Sequence, residues 1–248
     1  LRGLPFAKGM PSLVGYVFVT GLVLFPFGFF SASVKEQGFD SNLPLESMYL
    51  ASLVILLLSF FLLYFYRDPQ RIIESGIVSP ADGLIQRAEI KKGMVYFSIF
   101  MNVHNVHVNR SPFDGRIISI KHKSGGYLPA FSKDSDKNER LLTKIETPIG
   151  VMKIIQIAGV LVRRIVSYVK PNSEVAKGER IGLIHFGSRV DLSFESAGID
   201  LSVKKGDKVL AGQKLANYTP LSSLSTSEKI FEVPKRMFSK LQASQSED

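Results

Sequence analysis

The chain has 248 residues, 31 Lys and Arg against 22 Asp and Glu, a formal net charge of +9 and no cysteine. That length holds one sizeable domain and an appendage, and the lack of thiols excludes disulfides and thiolate metal sites. The basic excess suits an anionic partner, either a nucleic acid or an acidic lipid surface.

Two apolar runs come first. No charged residue lies between Lys8 and Lys35, or between Glu46 and Arg67. Each run supplies the roughly 20 mainly apolar residues of a membrane-crossing helix. The sequence therefore predicts a two-helix transmembrane hairpin within residues 1–75, with spans over about 11–33 and 47–66. A pair of buried core helices is the competing reading, but two such runs close together fit a spanning hairpin better. A cleavable signal peptide is disfavoured, because the first run is long for one and a second follows. Arg2 and Lys8 precede the first run, and Arg67 and Arg71 follow the second. These flanking cations put both termini on the cytoplasmic side of the cell's inner membrane.

From about Gly76 the texture changes. "MVYFSIFMNV", "GRIISIKH", "GVMKIIQIAGVLV" and "RVDLSF" are short runs rich in Val, Ile and Phe, which suit half-buried strands. "SPADG" (79–83) and "SPFDG" (111–115) are turn signatures. Without a long helical stripe, residues 76–225 read as a mainly β (α+β) domain, barrel-like or sandwich-like. "VAKGERIGLI" (175–184) echoes "VKKGDKVLAG" (203–212), each with a Lys-Gly-acid tip before a strand. Residues 131–140 read as a solvated loop and 226–248 as a C-terminal tail. The cations are scattered rather than interleaved with aromatics, so no nucleic acid is expected as partner.

Candidate chemistry is spread widely. His104 and His107 stand three apart in "FMNVHNVHVNRSP". On a regular strand such residues face opposite ways, so a shared site demands a turn or bulge between them. Asp82 and Asp114 sit in equivalent turns, and either could orient an imidazole that activates a nucleophile. In "HFGSRVD" (185–191) two strand-like runs meet at Gly187–Ser188. Glycine lets that junction bend sharply, so the serine hydroxyl can turn back on the preceding carbonyl. An ordinary hairpin corner accounts for the pair equally well.

In order along the chain, the apolar pair closed by "YRDPQR", then "SPADG", "VHNVHVNRSP", "KNER", "IAGVLVRRIV" and "GERIGLIHFGSRVD" resemble the phosphatidylserine decarboxylases, specifically the short bacterial form. The resemblance implies a self-processing, pyruvoyl-dependent lyase. Ser188 would attack the Gly187 carbonyl. Elimination would then split the chain into residues 1–187 (β) and 188–248 (α), a processed heterodimer that leaves room for a higher oligomer. Ser188 would become a pyruvoyl group that forms a Schiff base with membrane phosphatidylserine, giving phosphatidylethanolamine without a metal. It further implies that Asp82 orients His107, that His107 is the base toward Ser188, and that His104 assists decarboxylation. From charge alone, Arg189 or Arg163 would meet the head group. Two rivals remain: a membrane-tethered metal hydrolase using Asp82, His104 and His107, and a non-enzymatic, lipoyl-like membrane adaptor.

Overall fold

The structure, a computed structural model, describes residues 6–36, 45–126, 138–159, 164–185 and 188–219. The chain divides into two compact units, Leu1–Pro69 and Gln70–Asp248.

The first unit is a pair of helices, α1 (Ser12–Glu36) and α2 (Leu45–Phe65). Phe18 meets Phe60 edge-on with ring centroids 5.6 Å apart. At Gly21 a β-carbon would lie 3.2 Å from the Leu56 Cα, so glycine permits the close approach. Among the described residues, no helix is long and apolar enough to cross a membrane. This overturns the expected transmembrane hairpin. In α1, Pro26 interrupts the helix interior and removes a backbone donor from the hydrogen-bond ladder. Uncharged length in the sequence overstated what the helices could span.

The second unit is mainly β. Its strands are β1 (Ile77–Val78), β2 (Gly83–Lys91), β3 (Met94–Met101), β4 (Val108–Arg110), β5 (Gly115–Lys123), β6 (Arg140–Thr147), β7 (Gly150–Ile157), β8 (Ile165–Ser167), β9 (Glu174–Val175), β10 (Arg180–Ile184), β11 (Ser188–Glu195), β12 (Ile199–Leu201), β13 (Lys208–Val209) and β14 (Lys214–Tyr218). They form one eight-stranded sheet, β13-β2-β3-β11-β7-β6-β5-β9, and two three-stranded sheets, β1-β14-β12 and β4-β10-β8. In β11, Ser188, Val190, Leu192 and Phe194 are buried, while Arg189, Asp191 and Ser193 are only partly so. The same alternation in β3 and β6 builds a core from Phe97, Ile99, Ile145, Ile154, Leu192 and Phe194. Inner-face side chains of such strands stack against the smaller sheets, which leaves the other face of the large sheet polar.

The two Lys-Gly-acid tips share one local geometry. Gly178 and Gly206 both have positive φ, 78° and 97°. Glu179 accepts from the Ala176 N–H at 2.8 Å, as Asp207 does from the Lys204 N–H at 2.9 Å.

Candidate active site

Ser188 opens β11 and is fully buried, directly paired with Met101, the last residue of β3. Its hydroxyl has no hydrogen-bond partner among the described residues. A buried hydroxyl without a partner carries a desolvation cost of about 1–3 kcal/mol, which a fold retains only for a reason. Gly187 and Arg163 lie outside the described residues.

After Met101 the chain leaves the sheet in a turn over 102–107 before β4 begins. The Asn105 side chain accepts from the Asn102 backbone N–H at 2.8 Å, which tightens that turn. The turn separates the two histidines as their spacing required. His107 is buried and His104 exposed. His107 Nδ1 lies 2.9 Å from the Asn105 carbonyl oxygen. A carbonyl can only accept, so Nδ1 carries the proton and Nε2 is the basic nitrogen. The His107 carbonyl accepts from the Ile184 N–H at 3.2 Å, tying this turn to the end of β10, four residues before Ser188. His104 instead lines a cavity of about 370 Å³ with Gly83, Leu84, Phe100, Asn102 and Lys208 among its walls.

The "SPADG" turn is fastened on several sides. Ser79 exchanges backbone hydrogen bonds with Gln213 and Gly212, and the Arg110 N–H donates to the Pro80 carbonyl at 2.8 Å. A β-carbon on Gly83 would fall 2.2 Å from the Phe100 carbonyl oxygen, so only glycine lets this corner close on β3. Asp82 is buried, with Oδ2 held by the Arg71 guanidinium and Oδ1 accepting from the Ala211 N–H at 2.8 Å. Nδ1 of His107 is met by the Asn105 carbonyl, while the Asp82 carboxylate is met by Arg71 and the Ala211 N–H. The Pro80–Arg110 bond couples the turn that carries Asp82 to β4, the strand that follows His107. The two turn aspartates differ in burial. Asp114 is exposed and accepts from the Lys177 N–H at 2.8 Å.

Arg71, read from sequence as a membrane-flanking cation, is thus a partly buried counter-ion of the buried Asp82. Replacing Asp82 with Asn should leave that partly exposed guanidinium without its anion and cost about 1.5–3 kcal/mol of stability. Denaturant unfolding of Asp82→Asn, and of the double variant with Arg71→Met, checks this. The double variant should recover most of the loss.

Two further residues escaped the sequence reading. Gln156 donates to Asn109 Oδ1 at 2.8 Å, and Asn109 reaches the Met101 sulfur at 3.6 Å. This buried polar chain ends on the residue paired with Ser188. Its traces in the sequence are Asn109 in "HVNR" and a single polar residue inside the apolar run "IIQIAG". His185 is buried, and burial first, then the Arg164 charge, lower its pKa to about 4, so its imidazole is neutral at pH 7. Strand alternation puts Arg189 on the opposite face of β11 from Ser188, where it binds Asp191 at 2.9 Å. That placement does not favour Arg189 as a ligand at the Ser188 side chain. Among the described residues no group of three His, Cys, Asp or Glu could hold a metal ion, so Asp82, His104 and His107 do not assemble as a metal centre.

The family model described as phosphatidylserine decarboxylase matches residues 58–217. The chain belongs to the phosphatidylserine decarboxylase family. A phosphatidylserine decarboxylase proenzyme of Streptomyces avermitilis is 47% identical over 153 residues, 61% of this chain and 71% of the relative. One of Thermobifida fusca is 47% identical over 152 residues, 60% of this chain and 70% of the relative. A protein of Methanococcoides burtonii named as an archaetidylserine decarboxylase proenzyme is 48% identical over 161 residues, 64% of this chain and 75% of the relative. The matched residues of this decarboxylase contain Asp82, His104, His107 and Ser188, so the likeness covers the whole candidate site.

Proposed function

We propose that the chain is a proenzyme that cuts itself between Gly187 and Ser188 and then decarboxylates phosphatidylserine to phosphatidylethanolamine. Family membership is the observation that carries the reaction. The buried, unpartnered Ser188 hydroxyl supports the position of the cut.

In the first reaction His107 Nε2 takes the Ser188 hydroxyl proton as the oxygen bonds to the Gly187 carbonyl carbon. The peptide C–N bond breaks, leaving an ester on the Ser188 oxygen and a free amino group. Loss of the Ser188 α-proton then breaks the Cβ–O bond, freeing the Gly187 carboxylate and a dehydroalanine at position 188. Water adds, ammonia leaves, and a pyruvoyl group caps the new chain. A serine whose oxygen has no competing partner among the described residues, at the start of a strand and after a glycine, fits this origin.

The pyruvoyl carbonyl supplies the electron sink for the pair released as carbon dioxide departs. The chain supplies the rest. The cavity beside His104 holds the head group, with Lys208 on its wall to face an anionic group. His104 returns a proton to the carbon that has lost its carboxylate. The products 1–187 and 188–248 stay joined, because β11 pairs with β3 on one side and β7 on the other. The lipid substrate places the reaction at the membrane, on the cytoplasmic face of the inner membrane. Exposed Leu22, Val23, Leu57, Leu58 and Phe61 on the helices suit contact with such an apolar neighbour.

Borohydride added to the purified protein with phosphatidylserine should couple the lipid covalently to the smaller chain and abolish turnover. Borohydride that leaves turnover intact contradicts the reading.

A further inference from the structure

The polar face of the eight-stranded sheet carries a charge pattern that the reaction does not use. Lys123 on β5 stands directly opposite Arg140 on β6, and Lys144 on β6 stands directly opposite Lys153 on β7. Like charges at directly opposed positions destabilise a sheet, and here the opposition occurs twice on neighbouring strands. Among the described residues, none of Lys121, Lys123, Arg140, Lys144 and Lys153 forms an ion pair. Lys121, Lys123 and Lys153 are exposed. A fold that bears such repulsion without internal relief is arranged for an external anion.

The same corner holds a depression of about 400 Å³ lined by Lys121, His122, Lys123, Arg140, Leu142 and Ile155. His122 is hydrogen-bonded to Glu139 at 2.9 Å, so the rim has one acid as well as its cations. Cations alternate with aliphatics on this face. Arg140, Leu142 and Lys144 follow one another along β6, and Val151, Lys153 and Ile155 along β7. Long basic side chains over aliphatic neighbours are the chemistry of a lipid interface. A nucleic-acid surface would offer aromatic platforms for bases, and this corner has none among the residues named.

Register then links the corner to the candidate site. One row of directly paired residues crosses the sheet: Lys123, Arg140, Ile157, Arg189, Phe100 and Leu84. Phe100 and Leu84 are walls of the His104 cavity. From Arg140 to Phe100 is three strand steps, about 14 Å.

We propose that the sheet face carrying Lys121, Lys123, Arg140, Lys144 and Lys153 docks this unit on an anionic lipid bilayer, with a phosphate head group over the Leu142–Ile155 floor. Docked there, the end row of the sheet lies along the membrane, and the His104 cavity opens among head groups. The docking is independent of the chemistry proposed above, because it concerns binding to any anionic bilayer.

The test is vesicle flotation of the full chain. Phosphatidylcholine vesicles containing one third phosphatidylglycerol are compared with pure phosphatidylcholine. Wild type should prefer the anionic vesicles, and salt should weaken that preference. In Lys121→Gln/Lys123→Gln/Lys144→Gln/Lys153→Gln the preference should fall about tenfold or more. Turnover of a dispersed short-chain phosphatidylserine should stay at the wild-type level, which separates failed docking from failed catalysis. Because the substitutions relieve opposed like charges, the variant should melt no lower than wild type. Lys144→Glu alone should both raise the melting temperature and reduce the preference. An unchanged anionic preference in the fourfold variant overturns the proposal. So does a lowered melting temperature.

Discussion

Ser188→Ala should persist as a single uncut chain of 248 residues and form no phosphatidylethanolamine above background. The alanine methyl occupies the same buried slot, and the only atom removed is a hydroxyl oxygen with no partner among the described residues. Removing an unsatisfied buried polar atom does not cost stability. Wild-type and variant chains should therefore unfold at similar denaturant concentrations, and loss of processing reports the chemistry alone. Gel mobility and head-group analysis of product lipid check both halves. A variant that still yields two chains would move the cut elsewhere.

The histidines should separate the two reactions. His107 is buried, its Nδ1 proton is fixed by the Asn105 carbonyl, and its backbone is tied to Ile184 just before the cut. Losing a general base of this kind slows the step by about 10²–10⁴. His107→Asn should slow self-cleavage by that factor. His104 is exposed on the cavity wall, so His104→Asn should cleave at the wild-type rate and lose a similar factor in turnover. Time courses of cleavage, with turnover normalised to cleaved protein, distinguish them. Exchanged phenotypes would exchange the roles.

Local pattern carried much of this site into view. The sequence "RVDLSF" already marked the residues after Ser188 as a strand-like run, and the structure has β11 there. The three-residue spacing of the histidines required a turn, and the structure has one at 102–107. What stayed hidden depends on contacts between distant residues. Asp82 and Asp114 sit in like turns in sequence, and the contacts with Arg71 and the Ala211 amide tell them apart. The Gln156–Asn109–Met101 chain depends on register between strands far apart in sequence. Asn105 is two residues from His107, yet its carbonyl reaches the imidazole only because of the turn between β3 and β4. At the other end of the chain, absence of charge was taken for a membrane span. Pro26 interrupts α1, and among the described residues neither helix is long and apolar enough to cross a membrane.

The position of the cut is the central claim, and intact-mass measurement of the denatured wild-type protein tests it most directly. Two chains should appear, residues 1–187 and 188–248, with the smaller beginning in a pyruvoyl group and giving no signal in N-terminal amine labelling. An active preparation made up of one chain with Ser188 intact would contradict it.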